Sequence, residues 1–340
     1  MRSEVMRRRQ GLGNPLFGLM GVVLALASWS LRTEAAEGKI VIKLGHSTPA
    51  TSVHHQGLLR FAELVARRTE NRIEVQVFPA SQLGDEKALL EAQRAGGVQM
   101  STSNAGTAAV FDPQLQLLVA PYTWKDMTRG VGVLRGPIGQ EIAKGFLAKT
   151  GIRILDMGSY LGVRHLITRD KAITKPADLR GVKIRAPQAP IYLETFKAMG
   201  ANPVGITIAE VYSALQTRIV EGAENQLDSI FGWKWYEVAK FVNLTQHMVD
   251  WHIFTVSEKF FQSLSPADRK VIEEAAIEAD DYKNKLVVDR EREMSEKMRA
   301  AGVTFVASDV EAFRASVQPI FKTFDAQWGA GLRERVLTAQ

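Results

Sequence analysis

The chain has 340 residues, a formal net charge of +6 and no cysteine. The lack of cysteine excludes disulfide bonds, thiol catalysis and cysteine-ligated metal sites. Five basic and two acidic side chains fall within the first 35 residues, so the rest of the chain carries a charge of only +3. This small charge gives no support for nucleic-acid binding, and we expect no nucleic-acid partner.

The first 35 residues have the pattern of a secretory signal peptide. Four arginines among the first nine residues precede an apolar run over residues 16–27. As a helix this run is about 18 Å long, which is too short for the ~30 Å hydrocarbon core of a membrane. We expect export to the periplasm and cleavage after Ala35, with Ala27 as the alternative site. A twin-arginine export route and an uncleaved membrane anchor are further alternatives.

The chain after this leader alternates strand and helix patterns, which is typical of α/β folds. Apolar alternation and turn residues predict strands at residues 39–45, 73–77, 98–101, 152–157, 161–168, 182–185, 222–225 and 251–256. Helices are predicted at residues 55–68, 85–95 and 137–149, and a capping box at Thr207 and Glu210 predicts another helix start. We expect the strands at 161–168 and 251–256 to carry the chain between two lobes.

A long helix is predicted to begin at residue 266. Ser265 is a good N-cap, and Pro266 suits the first helical position. No glycine or proline follows before Gly302, so the helix has about 35 residues and a length of ~52 Å. Its apolar stripe consists of Ile272, Ala275, Ala279, Tyr282, Leu286, Met294 and Met298. We expect this helix to lie across both lobes, with a coiled-coil partner helix as the alternative.

Several sequence motifs resemble those of one receptor family. The motifs are GVKIRAP at residues 181–187, AEVYSALQT at 209–217, VEGAEN at 220–225, SQLGDE at 81–86 and WYEV at 235–238. Together they resemble the extracytoplasmic solute-binding proteins of TRAP (tripartite ATP-independent periplasmic) transporters, the DctP-like family. The likeness extends over about residues 39–325.

This resemblance implies a fold and a domain organisation. The fold is an α/β, two-lobed periplasmic-binding-protein clamp with hinge crossovers and one long helix that spans both lobes. We expect lobe I to comprise residues 36–161 and about 251–290. Lobe II then comprises residues 162–250 and about 291–340.

Arg185 is the central candidate for ligand binding. It ends a predicted strand, and ligands in open α/β sheets bind at the carboxyl ends of strands. Its planar guanidinium matches a carboxylate through two parallel hydrogen bonds. The resemblance implies that Arg185 and Asn225 hold the ligand carboxylate, and that Arg164 binds a hydroxyl, a keto oxygen or a second carboxylate. The alternative for Arg185 is an ion pair at the surface, that for Asn225 is a position in a turn, and that for Arg164 is a structural role.

The resemblance also implies that three residues of lobe I face the cleft, namely Ser47, Glu86 and Asn104. A carboxylate such as Glu86 is unfavourable beside an anion unless it accepts hydrogen bonds from it, which favours a hydroxylated acid. The alternative for Glu86 is to complement the dipole of its helix. Trp251 is a candidate for stacking on an apolar ligand face, with a core position as the alternative, and Gln188 is a weaker candidate.

The sequence carries no pattern typical of a cofactor or metal site. His46, His54 and His55 lack metal-binding spacing, so capping or hinge packing is favoured for them. Residues 130–136 do not form a phosphate loop, and no nucleophile elbow is present. We therefore expect neither a metal nor a cofactor.

The interpretation that unites these features is a receptor. We expect a monomeric periplasmic protein that captures a small organic acid, with a hydroxylated sugar acid as the favoured ligand, and delivers it to the membrane subunits of a TRAP permease. C4-dicarboxylates, keto acids and aromatic acids are the alternative ligands. A periplasmic enzyme acting on such acids and an interaction scaffold built on the long helix are the alternative functions.

Overall fold

A computed structural model of the protein describes residues 38–340. The predicted signal peptide and both cleavage sites therefore lie outside the described residues. The described strands are β1 (Ile40–Gly45), β2 (Ile73–Phe78), β3 (Met100–Asn104), β4 (Ile152–Thr168), β5 (Lys183–Ala186), β6 (Asn202–Gly205), β7 (Gly222–Gln226), β8 (Phe241–Ser257) and β9 (Thr304–Ala307).

Helices connect and cover these strands. The described α-helices are α1 (Val53–Arg68), α2 (Glu86–Ala95), α3 (Ala105–Ala108), α4 (Met127–Arg135), α5 (Pro137–Thr150), α6 (Pro190–Ala198), α7 (Val211–Gln216), α8 (Leu227–Gly232), α9 (Trp235–Val238), α10 (Glu258–Ser263), α11 (Pro266–Ala300), α12 (Val310–Ser316), α13 (Gln318–Trp328) and α14 (Leu332–Thr338). Short 3₁₀ segments lie at Pro113–Val119, Pro176–Leu179 and Ile208–Glu210. Within residues 38–340, no helix combines the length and the apolar character needed to cross a bilayer.

The strands join in the order β2-β1-β3-β8-β4-β7-β5-β6, with β9 beside β8. Strands β1, β2 and β3 pair in parallel at one end, and β5 pairs in parallel with β6 and β7 at the other. The 17-residue strands β4 and β8 run antiparallel to each other between these two groups. This arrangement confirms the predicted two-lobed α/β fold, while the predicted lobe boundaries stay a prediction.

Strand β4 is continuous where the sequence predicted two separate strands. Its pairing with β8 shifts register repeatedly between Ile154 and Gly162, and Gly162 has a positive φ of +118°. Such bulges bend a strand without ending it, and the predicted break at residues 158–160 lies within this bulged part. Strand β8 likewise begins at Phe241, ten residues before the predicted crossover strand.

The long helix α11 has the predicted start at Pro266, and Ser265 caps it by accepting a hydrogen bond from the Asp268 amide. Its first half packs Ile272 and Ala275 into the core formed by β1, β2 and α1. Its second half packs Met294 and Met298 into the core around β7 and α7. The helix therefore contacts both lobes, as predicted.

The middle of α11 does not follow the predicted apolar stripe. Tyr282 is 43% exposed, and polar side chains face the bulged part of β4 instead. Asn284 accepts a hydrogen bond from the Tyr160 amide at 3.0 Å and donates to the Gly158 carbonyl at 2.8 Å. Lys283 donates to the Tyr160 carbonyl at 2.8 Å. These bonds satisfy backbone groups that the irregular β4–β8 pairing leaves unpaired.

Two predicted helix starts differ from those observed. Helix α1 begins at Val53, two residues earlier than predicted, because the Ser52 hydroxyl accepts from the His55 amide and caps it. The predicted capping box at Thr207 is wrong. Its hydroxyl donates to the Glu210 carboxylate at 2.6 Å instead of capping the backbone. A 3₁₀ turn forms at Ile208–Glu210, and α7 follows it directly.

Candidate functional site

A cavity of about 210 Å³ opens where the two lobes meet. Its walls come from the carboxyl ends of β1, β3, β5 and β7, from the start of α2 and from the two crossover strands. This is the position where ligands bind in open α/β sheets. Seven of the eight predicted ligand-binding residues line it: Ser47, Glu86, Asn104, Arg164, Arg185, Gln188 and Asn225.

Arg185 is the third residue of β5, immediately before the strand reaches the cavity. Its side chain is 3% exposed, and its Nε donates to the Ile206 carbonyl at 2.8 Å. Burial lowers the pKa of Arg185 to about 10, so the guanidinium stays charged at neutral pH. Within residues 38–340 no carboxylate forms an ion pair with it, and its terminal nitrogens have no hydrogen-bond partner.

Arg164 on β4 has the opposite environment. Its Nε and Nη2 donate to the two carboxylate oxygens of Glu224, both at 2.6 Å, and its Nη1 donates to Asp250 at 2.7 Å. Burial works to lower the pKa of Arg164, but these two carboxylates outweigh it and raise the pKa. Arg164 therefore enters the cavity wall already paired, and its predicted contact with the ligand stays a prediction.

Asn225 is the last residue but one of β7 and lies opposite His165 of β4, the residue after Arg164. Its side-chain carbonyl accepts from the Gln226 amide at 3.0 Å, which fixes the orientation of the side chain. Its Nδ2 has no hydrogen-bond partner among the described residues. An amide held in this way can donate to a carboxylate oxygen, which is the role that the resemblance implied.

Asn104, at the end of β3, mainly organises the cavity wall. Its Oδ1 accepts from the amides of Gly106 and Thr107 and from the Tyr192 hydroxyl. Its Nδ2 donates to Asp250 at 2.6 Å. The amide thereby connects lobe I to the crossover strand β8.

The carboxylates of Glu86 and Asp250 line the ligand space, and that of Glu224 lies behind Arg164. The Ser47 hydroxyl donates to one oxygen of Glu86 at 2.7 Å, so the other oxygen remains able to accept. Burial works to raise the pKa of Glu224, but its contacts with Arg164 and His247 outweigh burial and hold the pKa at about 2. Burial raises the pKa of Asp250 although Arg164 opposes it. The cavity thus combines one unpaired cation with several hydrogen-bond acceptors.

Trp251 is the predicted site residue that the structure places elsewhere. It is fully buried and packs edge to face on Trp124, with ring centroids 5.7 Å apart. Successive side chains of a strand point to opposite faces, and its neighbours Asp250 and His252 line the cavity instead. The stacking role predicted for Trp251 is therefore wrong.

The sequence interpretation missed Asp250 and His252. No motif marks them. The pairing of β8 with β4 is irregular, and only the pairing of β8 with β3 and β4 shows which of its residues reach the cavity. Applying strand alternation around Trp251 would have found both.

The histidines near the amino end of α1 form a buried cluster with His252. His46 Nε2 lies 2.9 Å from His55 Nδ1, and the rings of His54 and His252 are 5.2 Å apart. Burial lowers the pKa of His46 to about 3 and that of His252 to about 4, so both rings are neutral at pH 7. In the part of the chain that the structure describes, no group of histidines and carboxylates is arranged to hold a metal ion.

Comparison with known proteins identifies the family of this cleft. Residues 44–327 match the DctP family, described as bacterial extracellular solute-binding protein, family 7. The chain belongs to this family. This family 7 protein is 30% identical over 292 residues to the 2,3-diketo-L-gulonate-binding periplasmic protein YiaO of Escherichia coli, covering 86% of this chain and 88% of the relative.

Solved structures show the same fold. A TRAP periplasmic solute-binding protein of Roseobacter denitrificans with bound L-galactonate aligns with a TM-score of 0.82 and 30% identity, covering 88% of this chain and 98% of the other. A counterpart from Actinobacillus succinogenes, also with bound L-galactonate, aligns with a TM-score of 0.84, 30% identity and the same coverage.

These findings confirm the resemblance inferred from the motifs. The protein is a solute-binding protein of this family, and it has the two-lobed fold of the TRAP periplasmic solute-binding proteins that align with it. Its family consists of solute-binding receptors rather than enzymes.

Proposed function

We propose that the protein is a receptor for a sugar acid of the aldonate class, which it delivers to the membrane subunits of a TRAP transporter. The observation that carries this proposal is the charge arrangement of the cavity. Among the described residues, Arg185 is the one cation of the cavity without a carboxylate partner. Arg164 pairs with Glu224, and the Nζ of Lys87 lies 3.8 Å from Oε1 of Glu91. Arg185 therefore offers an anchor for one carboxylate.

The opposite wall suits hydroxyl groups. Among residues 38–340, Glu86 has a hydrogen-bond partner at only one of its carboxylate oxygens. A carboxylate tolerates a nearby anionic ligand best when it accepts hydrogen bonds from it. A polyhydroxylated acid satisfies both walls, with its carboxylate on Arg185 and Asn225 and its hydroxyls on Glu86. No phenylalanine, tyrosine or tryptophan of the described chain lines the cavity, which favours a sugar acid over an aromatic acid.

The solved structures that align with this chain also support the proposal. Besides the two galactonate complexes, they include TRAP binding proteins with bound D-erythronate, from Polaromonas, and with bound L-fuconate. These ligands share one carboxylate and a hydroxylated carbon chain, which is the pattern that the cavity walls fit.

Capture would proceed by closure of the two lobes around the acid, a hinge motion. The cleft residues come from both sides of the crossover strands, so closure brings Glu86 and Arg185 toward the same ligand. We further propose that the acid is released unchanged. Incubating the protein with an aldonate and analysing the mixture by mass spectrometry tests this point, and any new product would contradict it.

A thermal-shift screen tests the ligand class. Aldonates should raise the melting temperature, because a ligand at 100 times its Kd stabilises the folded protein by ~2.7 kcal/mol. The comparison ligands are C4-dicarboxylates, keto acids and aromatic acids. Arg185→Ala is the control variant, and none of the acids should raise its melting temperature. Stabilisation by one of the comparison classes, with none by aldonates, would overturn the proposal.

A further inference from the structure

Asp250 occupies an unusual place for a residue that faces an anionic ligand. It lines the cavity, yet it is 1% exposed. Its Oδ1 accepts from Asn104 at 2.6 Å and its Oδ2 accepts from Arg164 at 2.7 Å. Both oxygens are thus fixed by protein donors, and the carboxylate is held in the wall of the cleft.

This arrangement commits Arg164 to the protein. Three of its nitrogens already donate to Glu224 and Asp250. A ligand carboxylate that took over these donors would leave a buried carboxylate without its partner, which is strongly unfavourable. Arg164 therefore does not offer a second carboxylate anchor.

The surrounding charges oppose a second carboxylate as well. Lys87, Arg164 and Arg185 are the cations of the cavity wall, and Asp85, Glu86 and Asp250 are its anions. Glu224, directly behind Arg164, adds one more negative charge. Once a ligand carboxylate has paired with Arg185, any further negative charge on the ligand lies next to Glu86 or Asp250 with no unpaired cation near it.

We propose that Asp250 is a specificity-determining residue that restricts the receptor to acids with a single carboxylate. By holding Arg164 together with Glu224, it excludes aldarates, the dicarboxylic acids in which a second carboxylate replaces the terminal CH₂OH of an aldonate. It excludes C4-dicarboxylates for the same reason. This inference rests on the proposed function, since it concerns the same cavity.

Matched ligand pairs test the inference by calorimetry. The pairs are L-galactonate with galactarate and D-gluconate with D-glucarate, which share a carbon chain and differ in one terminal group. The wild-type protein should bind at least one aldonate and should bind the matched aldarate ~100-fold more weakly. The reason is that placing like charges next to each other in an interface costs a binding free energy of several times RT. Asp250→Asn should reduce this ratio to less than about tenfold, since Arg164 then has one charged partner fewer.

Asp170→Asn is the matched control. It removes the same charge from an exposed residue that lies outside the cavity, near Arg218, and should leave the ratio unchanged. If Asp250→Asn does not fold, Glu224→Gln removes the other charged partner of Arg164 and should act in the same direction.

The outcomes separate the two proposals. Failure of the wild-type protein to bind any aldonate would overturn the proposed function. Aldonate binding with equally strong binding of the matched aldarate would overturn only the single-carboxylate inference. A folded Asp250→Asn variant with the wild-type ratio would remove Asp250 from the explanation.

Discussion

The Nε of Arg185 is tied to the backbone carbonyl of Ile206 at 2.8 Å. Ile206 directly follows β6, and β6 pairs in parallel with β5, the strand that carries Arg185. The two strands thus fix the guanidinium before any ligand arrives. A cation oriented in advance loses little conformational entropy on binding, which favours tight and selective capture of a carboxylate.

Replacing Arg185 should separate binding from stability. Arg185→Ala should weaken aldonate binding by roughly 2–5 kcal/mol, the scale for removing one partner of a buried charge pair. The melting temperature of the ligand-free protein should stay the same or rise, because the variant no longer buries a cation without a carboxylate partner. Arg185→Lys should recover only part of the affinity, since an ammonium cannot make two coplanar bonds. Calorimetry measures the affinities, and thermal melts measure the stability of the ligand-free variants. If Arg185→Ala bound aldonates with wild-type affinity, the carboxylate anchor would have to be another residue.

Glu86 should distinguish hydroxylated acids from their deoxy analogues. L-galactonate and L-fuconate differ only in the hydroxyl at the end of the chain far from the carboxylate. If Glu86 accepts a hydrogen bond from that hydroxyl, Glu86→Gln should weaken L-galactonate by about 1.5–3 kcal/mol and change L-fuconate little. If calorimetry showed the same loss of affinity for both acids, Glu86 would have only a structural role at the start of α2.

The bend of β4 at Gly162 should tolerate no side chain. Its φ is +118°, and a Cβ there would lie 2.3 Å from Oε1 of Glu291 on α11. Gly162→Ala should therefore lower the free energy of unfolding by more than ~1 kcal/mol. Gly132→Ala is the control, because Gly132 lies inside α4 with open space around it, and it should stabilise by ~0.4–1 kcal/mol. Denaturant unfolding compares the two, and equal stabilities would contradict the strain at Gly162.

Glu291 should make stability depend on pH. Burial raises its pKa to about 7, although a bond from the Val163 amide opposes this. In the unfolded chain its pKa is ~4.3, so its protonated form is favoured in the folded state. The contribution of Glu291 to stability should therefore fall as pH rises from about 4 to 7, and then level off.

The Glu291→Gln variant isolates this effect. It should be more stable than the wild type by about 1–3 kcal/mol at pH 8, and the difference should vanish near pH 4. Glu293→Gln is the control on the same helix. The ion pairs of Glu293 with Lys297 and Arg290 lower its pKa, so its removal should have the opposite sign at pH 8. Urea denaturation across this pH range measures both, and a pH-independent difference for Glu291→Gln would contradict the raised pKa.

Much of the site was predictable because short motifs mark it. Arg185 is the last residue but one of β5, just before Pro187, and Asn225 is the last residue but one of β7, so both follow from local sequence. The long helix also follows from local signals, namely a serine cap and the absence of glycine or proline before Gly302.

The crossover strands were less predictable, for a physical reason. The bulges of β4 are stabilised by Lys283 and Asn284, which are more than 120 residues away in the sequence. No local pattern contains such a contact, so the sequence predicted a break at residues 158–160. Strand alternation around Trp251 would have placed Asp250 in the cavity wall, but its role depends on the distant residues Asn104 and Arg164.

The position of β3 has a consequence for how the exported chain acquires its structure. β3 lies between β1 and β8, and its partner residues on β8 are His252 to Val256. About 150 residues therefore have to emerge after β3 before its second edge is paired. An unpaired edge of this kind is prone to associate with other chains, and contacts so distant in sequence form slowly. The amino-terminal end of the sheet is consequently completed late, after residues 252–256 of β8 have been synthesised.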